Sequence, residues 1–101
     1  MNFEVELSQG NFCIPKCTSC KKIVWPPSEF CNKCFGNTEL KKWDGEGKII
    51  EFSKKEEYFC LVEIEETIRI LAKIKQTPKI GQRVKILNCG INNDGYFFEV
   101  T

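Results

Sequence analysis

Four cysteines constrain the fold of this chain more than any other feature. Cys17, Cys20, Cys31 and Cys34 form two C-x2-C pairs with ten residues between the pairs. Two residues between paired cysteines let one tight turn direct both sulfurs to the same point, so two such turns can surround one metal ion. Four thiolates leave no coordination position for water or substrate, which is the ligand set of a structural zinc site. The pattern therefore predicts a zinc ribbon, with structural zinc as the cofactor.

Iron in a rubredoxin-like site is the alternative to zinc, because it uses the same four thiolates. Rubredoxin-type turns usually carry a glycine directly after each cysteine pair. Here Lys21 and Phe35 occupy those positions, and Gly36 follows one residue late. This difference favours zinc over iron.

The three remaining cysteines are not expected to bind the metal. Cys13 could compete as a ligand, but a small packing residue on the strand that enters the ribbon explains it better. Cys60 alternates with apolar neighbours and is expected in a core, whereas Cys89 is expected as a thiol at a strand end. No base is evident beside any of them, so a reactive cysteine is not expected.

The charge distribution argues against a nucleic-acid-binding protein. Residues 11–43 hold six lysines against two glutamates, a formal charge of +4, to which zinc with four thiolates adds about −2. Residues 44–101 hold nine basic and ten acidic side chains, whereas a nucleic-acid-binding face is strongly basic. Three lysine pairs are the only basic clusters: Lys21-Lys22, Lys41-Lys42 and Lys54-Lys55. They are expected to be solvated surface residues, and the alternative is that they contact phosphates of a nucleic acid or a coenzyme.

Composition also bounds activity and location. Histidine is absent, and no nucleophile stands beside a base, so the chain is not expected to be an enzyme. No apolar run is long enough to span a membrane, and residues 1–10 lack the basic start and apolar run of a signal peptide. Cysteines without an export signal indicate metal ligands and thiols in a reducing compartment, so the expected location is the cytoplasm.

The pattern along the chain predicts a mostly β fold in three parts: an N-terminal helix (1–10), a zinc ribbon (11–43) and an OB-fold (44–101). Phe3 and Leu7 are four residues apart and share one helix face, and Gly10 is the expected stop. So short a helix needs a surface to lie on. Phe3 and Leu7 are therefore candidates for binding a partner.

Residues 44–101 alternate between apolar and polar side chains. Five short antiparallel strands are predicted, at residues 48–53, 58–65, 67–75, 82–88 and 96–100. The second and third form a hairpin turning near Glu66, with Glu63 and Glu65 opposite Arg69 and Lys73 on its outer face. Turns are also predicted at residues 78–81 and 92–95. Five such strands predict a small closed barrel, most simply an OB-fold.

Aromatic side chains surround the cysteine turns: Trp25, Phe30, Phe35 and Trp43. Such side chains stack bases in nucleic-acid-binding modules, but in a ribbon with little core they are better explained by packing on the chain itself or on a partner. Trp25 and Phe35 join Phe3 and Leu7 as candidate partner-binding residues.

The order of these parts resembles a known family. The resemblance is carried by Cys17-x2-Cys20, Pro26-Pro27, Cys31-x2-Cys34, Gly45-x-Gly47-Lys48-Ile49, Leu61-Val62-Glu63-Ile64 and Ile80-Gly81-Gln82-Arg83-Val84. The chain is similar along essentially its whole length to the acyl-CoA-associated OB-fold proteins with a rubredoxin-like zinc ribbon, listed as domain of unknown function thirty-five. Lys21 and Asn32 depart from the glycine and proline that are common in the family's cysteine turns.

The resemblance implies a non-catalytic scaffold subunit. In archaea such proteins bridge acetoacetyl-CoA thiolase and hydroxymethylglutaryl-CoA synthase of the mevalonate pathway, and their N-terminal helix docks on the partner. Whether acyl-CoA contacts this chain is left open by the sequence. The alternative function is binding of single-stranded nucleic acid, which zinc ribbons and OB-folds also perform.

Overall fold

The computed structural model describes residues 2–93 and 95–101, and the chain divides after Trp43 into two compact units. The first unit contains α1 (Phe3–Ser8), β1 (Cys13–Cys17) and β2 (Thr38–Lys42). The second contains β3 (Gly47–Lys54), β4 (Tyr58–Ile64), β5 (Ile68–Ile74), β6 (Arg83–Val84), β7 (Ile86–Asn92) and β8 (Gly95–Val100). The predicted mostly β fold with a short N-terminal helix is confirmed.

Helix α1 ends where the sequence predicts. Gly10 has a φ of 83° and donates its N–H to the carbonyl of Leu7 at 2.9 Å. The Asn11 N–H reaches back to the carbonyl of Glu6, also at 2.9 Å. These two bonds satisfy two carbonyls of the last turn of the helix, and glycine adopts the left-handed conformation they need without a steric penalty. None of the helices within residues 2–93 and 95–101 has the length and hydropathy to cross a membrane.

Strands β1 and β2 form the antiparallel ladder of the ribbon. Their register runs from Cys13 opposite Lys42 to Cys17 opposite Thr38. The outer end of this ladder is closed by Trp43, whose N–H donates to the carbonyl of Phe12 at 3.0 Å and whose ring meets the Phe12 ring edge-to-face at 5.8 Å. Because Cys17 is the last residue of β1, the first cysteine turn starts directly from this ladder.

The second unit is one six-stranded sheet with the strand order β6-β3-β4-β5-β8-β7. Strand β5 shows how the core forms, because its alternate residues Ile68, Ile70, Ala72 and Ile74 are buried and those between them are exposed. Strand β4 pairs along all of β5, from Tyr58 opposite Ile74 to Ile64 opposite Ile68. The outer face carries the predicted ion pair of Glu63 with Arg69, at 3.5 Å. Lys73 pairs instead with Glu57, at 3.2 Å.

The sheet curls into a half-barrel. Strands β6 and β7 are its two opposite edges, yet only Lys85 separates them along the chain. So short a connection requires the two edges to lie close together. The backbone of Lys85 is itself bonded to Thr101, each N–H donating to the other residue's carbonyl at 3.0 Å.

The prediction of five antiparallel strands is wrong in two respects. The predicted fourth strand, 82–88, is interrupted at Lys85, and its second part continues to Asn92. Strands β5 and β8 are parallel, with Lys73 opposite Glu99 and Ile74 opposite Val100. Alternation reports which face a residue occupies, but not which strand lies beside it. The predicted turn at 92–95 joins β7 to β8, and its residue Asp94 lies outside the described residues, as does Met1 of the predicted helical segment.

The turn between β4 and β5 generates a stability prediction. Glu65 and Glu66 have φ values of 53° and 58°, and the Thr67 N–H donates to the Ile64 carbonyl at 3.1 Å. Asparagine and glycine adopt this left-handed conformation more readily than glutamate. We expect the combined change Glu65→Asn and Glu66→Gly to raise the free energy of unfolding by about 1–2 kcal/mol, measured by urea denaturation.

The control for this prediction is Gln76→Gly, at an exposed loop residue that is not among those with positive φ. Glycine there only increases the freedom of the unfolded chain, so stability is expected to stay level or fall. A loss of stability in the Glu65→Asn, Glu66→Gly variant would contradict the proposed strain.

Candidate metal centre

The structure brings the four predicted cysteines together. The Sγ atoms of Cys17, Cys20, Cys31 and Cys34 all lie within 4.8 Å of one another. The Sγ atoms of Cys17 and Cys34 are 3.3 Å apart, and those of Cys20 and Cys31 are 3.7 Å apart. Tetrahedral thiolate coordination with zinc–sulfur bonds of about 2.3 Å places neighbouring sulfurs about 3.8 Å apart. The four sulfurs therefore have the spacing of a zinc site, and the cofactor of the ribbon is structural zinc.

Two turns of the same design supply these sulfurs; we call Cys17–Lys21 the first knuckle and Cys31–Phe35 the second knuckle. In the first, the Lys21 N–H donates to the Cys17 carbonyl at 3.0 Å; in the second, the Phe35 N–H donates to the Cys31 carbonyl at 3.0 Å. The last residue of each has positive φ, 64° at Lys21 and 61° at Phe35. Both therefore adopt the left-handed conformation in which glycine is usual.

Backbone N–H groups stabilise the thiolate form of one sulfur in each knuckle. The bond from the Cys20 N–H, 3.4 Å from the Cys17 sulfur, is the main cause that lowers the pKa of Cys17 to about 6. The pKa of Cys31 is lowered first by the N–H of Cys34 and then by that of Lys33. Since zinc binds thiolates and not thiols, both shifts favour zinc binding.

The fourth sulfur shows why a cation is needed. The Gly36 N–H lowers the pKa of Cys34, but the opposing effect of the neighbouring Cys17 sulfur contributes to a net rise to about 11. Adjacent sulfurs cannot all ionise because their like charges repel. A divalent cation at the centre of the four sulfurs removes this repulsion, so the donor set fits zinc.

The other cysteines lie elsewhere. Cys13 is buried at the start of β1, and Cys60 is fully buried in β4, as predicted for packing residues. Cys89 was predicted to lie at a strand end, and this prediction is wrong. The residue is buried within β7, opposite Phe98. Among the described residues, the metal-binding group contains only the four knuckle cysteines.

The predicted docking face of α1 needs correction. Phe3 is 4% exposed and Leu7 is fully buried. The Phe3 ring meets the Trp25 ring edge-to-face, with centroids 5.6 Å apart. These side chains are already removed from water by the chain itself, so entering a partner's groove would bury little further apolar area. Sequence periodicity identifies the apolar face of a helix but not the surface that covers it.

The aromatic side chains near the knuckles divide into two groups. Trp25 is half-buried against Phe3, and Trp43 packs on Phe12, so the tryptophans serve as packing residues. Phe30 and Phe35 are 55% and 80% exposed. Of the four predicted partner-binding residues, Phe35 alone presents most of its side chain to solvent.

Sequence reasoning missed a further residue of the site, Gly36. A Cβ atom placed there would lie 2.9 Å from Ser19 Oγ, 3.1 Å from the Cys17 sulfur and 3.3 Å from the Cys34 sulfur. A side chain at this position would press on two metal ligands at once. The sequence did show that Gly36 follows the second knuckle one residue after the usual glycine position. Gly36 is needed there because it lies close to the sulfurs, and it does not adopt the left-handed conformation.

Comparisons with known proteins identify the ribbon and the fold. Residues 6–40 match the family model described as ChsH2, rubredoxin-like zinc ribbon domain. This segment contains all four knuckle cysteines, and it confirms the zinc-ribbon part of the predicted resemblance. No curated protein matches the chain.

Two solved structures share the fold along nearly the whole chain. The Ltp2-ChsH2(DUF35) aldolase is 17% identical, with a TM-score of 0.70 over 96% of this chain and 90% of that chain. A DUF35-family protein of unknown function from Sulfolobus solfataricus is 20% identical, with a TM-score of 0.66 over 98% of this chain and 82% of that chain. The fold predicted from the resemblance is therefore that of DUF35 structures.

The metal centre generates a prediction of stoichiometry. The purified chain is expected to contain one zinc ion, measured by metal analysis, and Cys31→Ser is expected to lose the ion and unfold the ribbon. The reason is that structural zinc contributes about 10 kcal/mol or more to the folding of such units. Cys60→Ala is the control and should retain zinc. A ribbon that remains folded in the Cys31→Ser variant would contradict the structural role of the metal.

The close approach at Gly36 generates a second prediction. Gly36→Ala keeps every ligand but adds a Cβ beside two of them, so zinc affinity is expected to fall about 10- to 100-fold, the effect typical of residues that orient ligands. Competition with a chromophoric chelator measures this affinity. Adding Ser19→Ala removes the atom nearest the new Cβ and should recover part of the loss. Unchanged affinity in Gly36→Ala would show that the knuckle backbone adjusts freely.

Proposed function

We propose that this chain is a non-catalytic accessory subunit of an acyl-CoA-processing enzyme complex. The observation that carries the proposal is the likeness to the Ltp2-ChsH2(DUF35) aldolase, which extends over 96% of this chain. The ribbon match to the ChsH2 family model supports it independently through the sequence. The name of that aldolase joins two components, so a chain of this fold can act together with an enzyme.

We further propose which enzymes this chain joins. The resemblance of its motifs favours acetoacetyl-CoA thiolase and hydroxymethylglutaryl-CoA synthase of the mevalonate pathway, in the cytoplasm of an archaeon. A scaffold that holds these two enzymes together would pass acetoacetyl-CoA from the first to the second. Withdrawal of this product would favour the otherwise unfavourable condensation. Contact of acyl-CoA with the scaffold is not required by this role.

We propose that the half-barrel of the second unit is an OB-fold. If Arg83–Asn92 is counted as a single strand interrupted at Lys85, the six strands become five, and this strand pairs with β3 at one end and β8 at the other. The sheet is then closed on itself, which removes exposed strand edges. We propose this reading of the half-barrel.

The cysteines of the chain support the proposal that the chain itself is not catalytic. Four cysteines fill the coordination sphere of zinc, so the metal has no open position at which to bind substrate or activate water. Burial raises the pKa of the Cys60 thiol, and burial together with Glu6 raises that of Cys13, so both are poor nucleophiles at neutral pH. We propose that the chemistry belongs to the partner enzymes.

Co-purification tests the proposed function. The tagged chain, expressed in its source cells and recovered under mild conditions, is expected to retain a thiolase-family enzyme, identified by mass spectrometry. The chain alone is expected to show no thiolase or synthase activity, because it has no histidine to act as a base beside a nucleophile. A matched control is the Cys31→Ser variant, whose ribbon is expected to unfold and which should retain no enzyme. Failure of the intact chain to retain any acyl-CoA enzyme would contradict the proposal.

A binding titration with single-stranded DNA tests the alternative function. The basic side chains on the outer face of β4 and β5 are engaged by carboxylates, in the pairs Glu57–Lys73 and Glu63–Arg69. Weak binding is therefore expected at physiological salt. Sub-micromolar affinity that falls steeply with salt concentration would favour a nucleic-acid-binding protein.

A further inference from the structure

The two knuckles provide an internal comparison. Each ends in a non-glycine residue in the left-handed conformation, with φ of 64° at Lys21 and 61° at Phe35, and each makes the same 3.0 Å backbone bond. Glycine would adopt this conformation without strain, so a side chain at either position makes the local fold less favourable. Contacts of the side chains themselves must therefore offset this strain.

The side chain of Lys21 has a use within its own knuckle. Its Nζ donates to the carbonyl of Thr18 at 2.8 Å, so it satisfies a backbone acceptor of the turn. The strain of the left-handed conformation at Lys21 is therefore offset by a local contact.

Unlike the Lys21 side chain, the Phe35 side chain is apolar and extends into solvent. It is 80% exposed, the highest value among the exposed large hydrophobic residues. A ring so exposed contributes little to folding through burial, and it occupies a strained backbone position. Phe30, on the other arm of the second knuckle, is 55% exposed and adds a second apolar surface. This tip of the ribbon presents aromatic area that the first unit does not cover.

The charged side chains at the metal end of the ribbon indicate which kind of partner surface would fit it. The exposed side chains Lys21, Lys22 and Lys33 lie at the same end of the ribbon as Phe35, because the knuckles share one metal site. Zinc with four thiolates contributes about −2 and the exposed Glu29 contributes a further negative charge, so this end is close to neutral overall while its lysine charges lie at the surface. This arrangement suits one or two carboxylates placed beside the lysines but not a polyanion, whose binding needs several unopposed phosphate contacts. The complementary surface is an apolar pocket bordered by carboxylates.

We propose that Phe35 is the residue through which the ribbon docks on its partner enzyme, with its ring inserted into an apolar pocket bordered by carboxylates. The proposal rests on the proposed function and names the contact residue of that association. Exposed aromatic side chains that become fully buried are the usual anchors of such interfaces. Lys22 and Lys33 then lie at the polar rim, whereas Lys21 stays bonded to the Thr18 carbonyl of its own knuckle.

Matched glycine variants test this docking role. Phe35→Gly and Lys21→Gly each relieve the left-handed conformation, so both are expected to retain zinc at least as well as the unmodified chain. The probe is the acyl-CoA enzyme recovered by co-purification, then purified, with its affinity measured by calorimetry. Phe35→Gly is expected to weaken binding at least about tenfold, as for an interface anchor, whereas Lys21→Gly is expected to change it less than about threefold. Phe35→Trp, which keeps an aromatic ring, should restore most of the affinity.

If Phe35 had a purely structural role, Phe35→Gly would change zinc retention and enzyme binding together, whereas the docking role predicts loss of binding with zinc retained. Equal affinity of Phe35→Gly and the unmodified chain for the enzyme overturns the docking proposal and leaves the proposed function standing. If the unmodified chain retains no acyl-CoA enzyme, both are overturned. If Phe35→Gly instead weakens binding of a single-stranded oligonucleotide and not of the enzyme, the ring is a base-stacking residue and the docking proposal fails.

A photocrosslink locates the contact directly. Benzoylphenylalanine replacing Phe35 is expected to crosslink to the enzyme, and peptide mapping should place the attachment in an apolar segment near aspartate or glutamate. The same probe replacing Phe52, which is 45% exposed on β3 of the second unit, is the control for general proximity. Crosslinking from position 52 without crosslinking from position 35 would contradict the proposal.

Discussion

Coordination of one zinc ion by four thiolates is the interaction on which the first unit depends. Two short strands and a six-residue helix bury too little apolar surface to fold alone. The sulfurs of Cys17 and Cys31 are themselves buried and pack with Val24, so the metal site occupies the place of a core. Backbone N–H groups directed at these sulfurs stabilise the thiolates. Helix α1 then covers the ribbon with Phe3 and Leu7 and, with these side chains buried, has few apolar groups left for a partner.

The second unit depends on a different constraint, the curling of its sheet into a half-barrel. Alternate residues of β4 and β5 fill the interior, but alternation alone would allow a flat sheet with two exposed edges. The single residue Lys85 between β6 and β7 draws those edges together, and its backbone bonds to Thr101 fix the chain end beside it. The outer face carries the ion pairs Glu57–Lys73 and Glu63–Arg69, with Leu71 exposed between the two cations.

How much the sequence predicts depends on the range of the interaction. The cysteine spacing and the glycine stop of α1 act within a few residues, so the metal ligands and the helix end were predictable. Strand faces also follow from local alternation. The parallel pairing of β5 with β8 and the interruption at Lys85 depend on distant parts of the chain, which no local pattern encodes. The same limit explains Phe3: periodicity revealed an apolar face, whereas its neighbour Trp25 lies more than twenty residues away in sequence.

The strength of the metal site also explains why the knuckles tolerate unusual residues. A left-handed non-glycine residue costs about 1–2 kcal/mol, whereas structural zinc contributes about 10 kcal/mol or more. The ribbon therefore folds with Lys21 and Phe35 at positions where a less stable turn would require glycine. The zinc contribution is several times the cost of two left-handed residues, so these two positions need not be glycine. Lys21 bonds within its own knuckle, while Phe35 stays exposed at the tip of the ribbon, and zinc coordination stabilises the ribbon enough to tolerate both residues in the left-handed conformation.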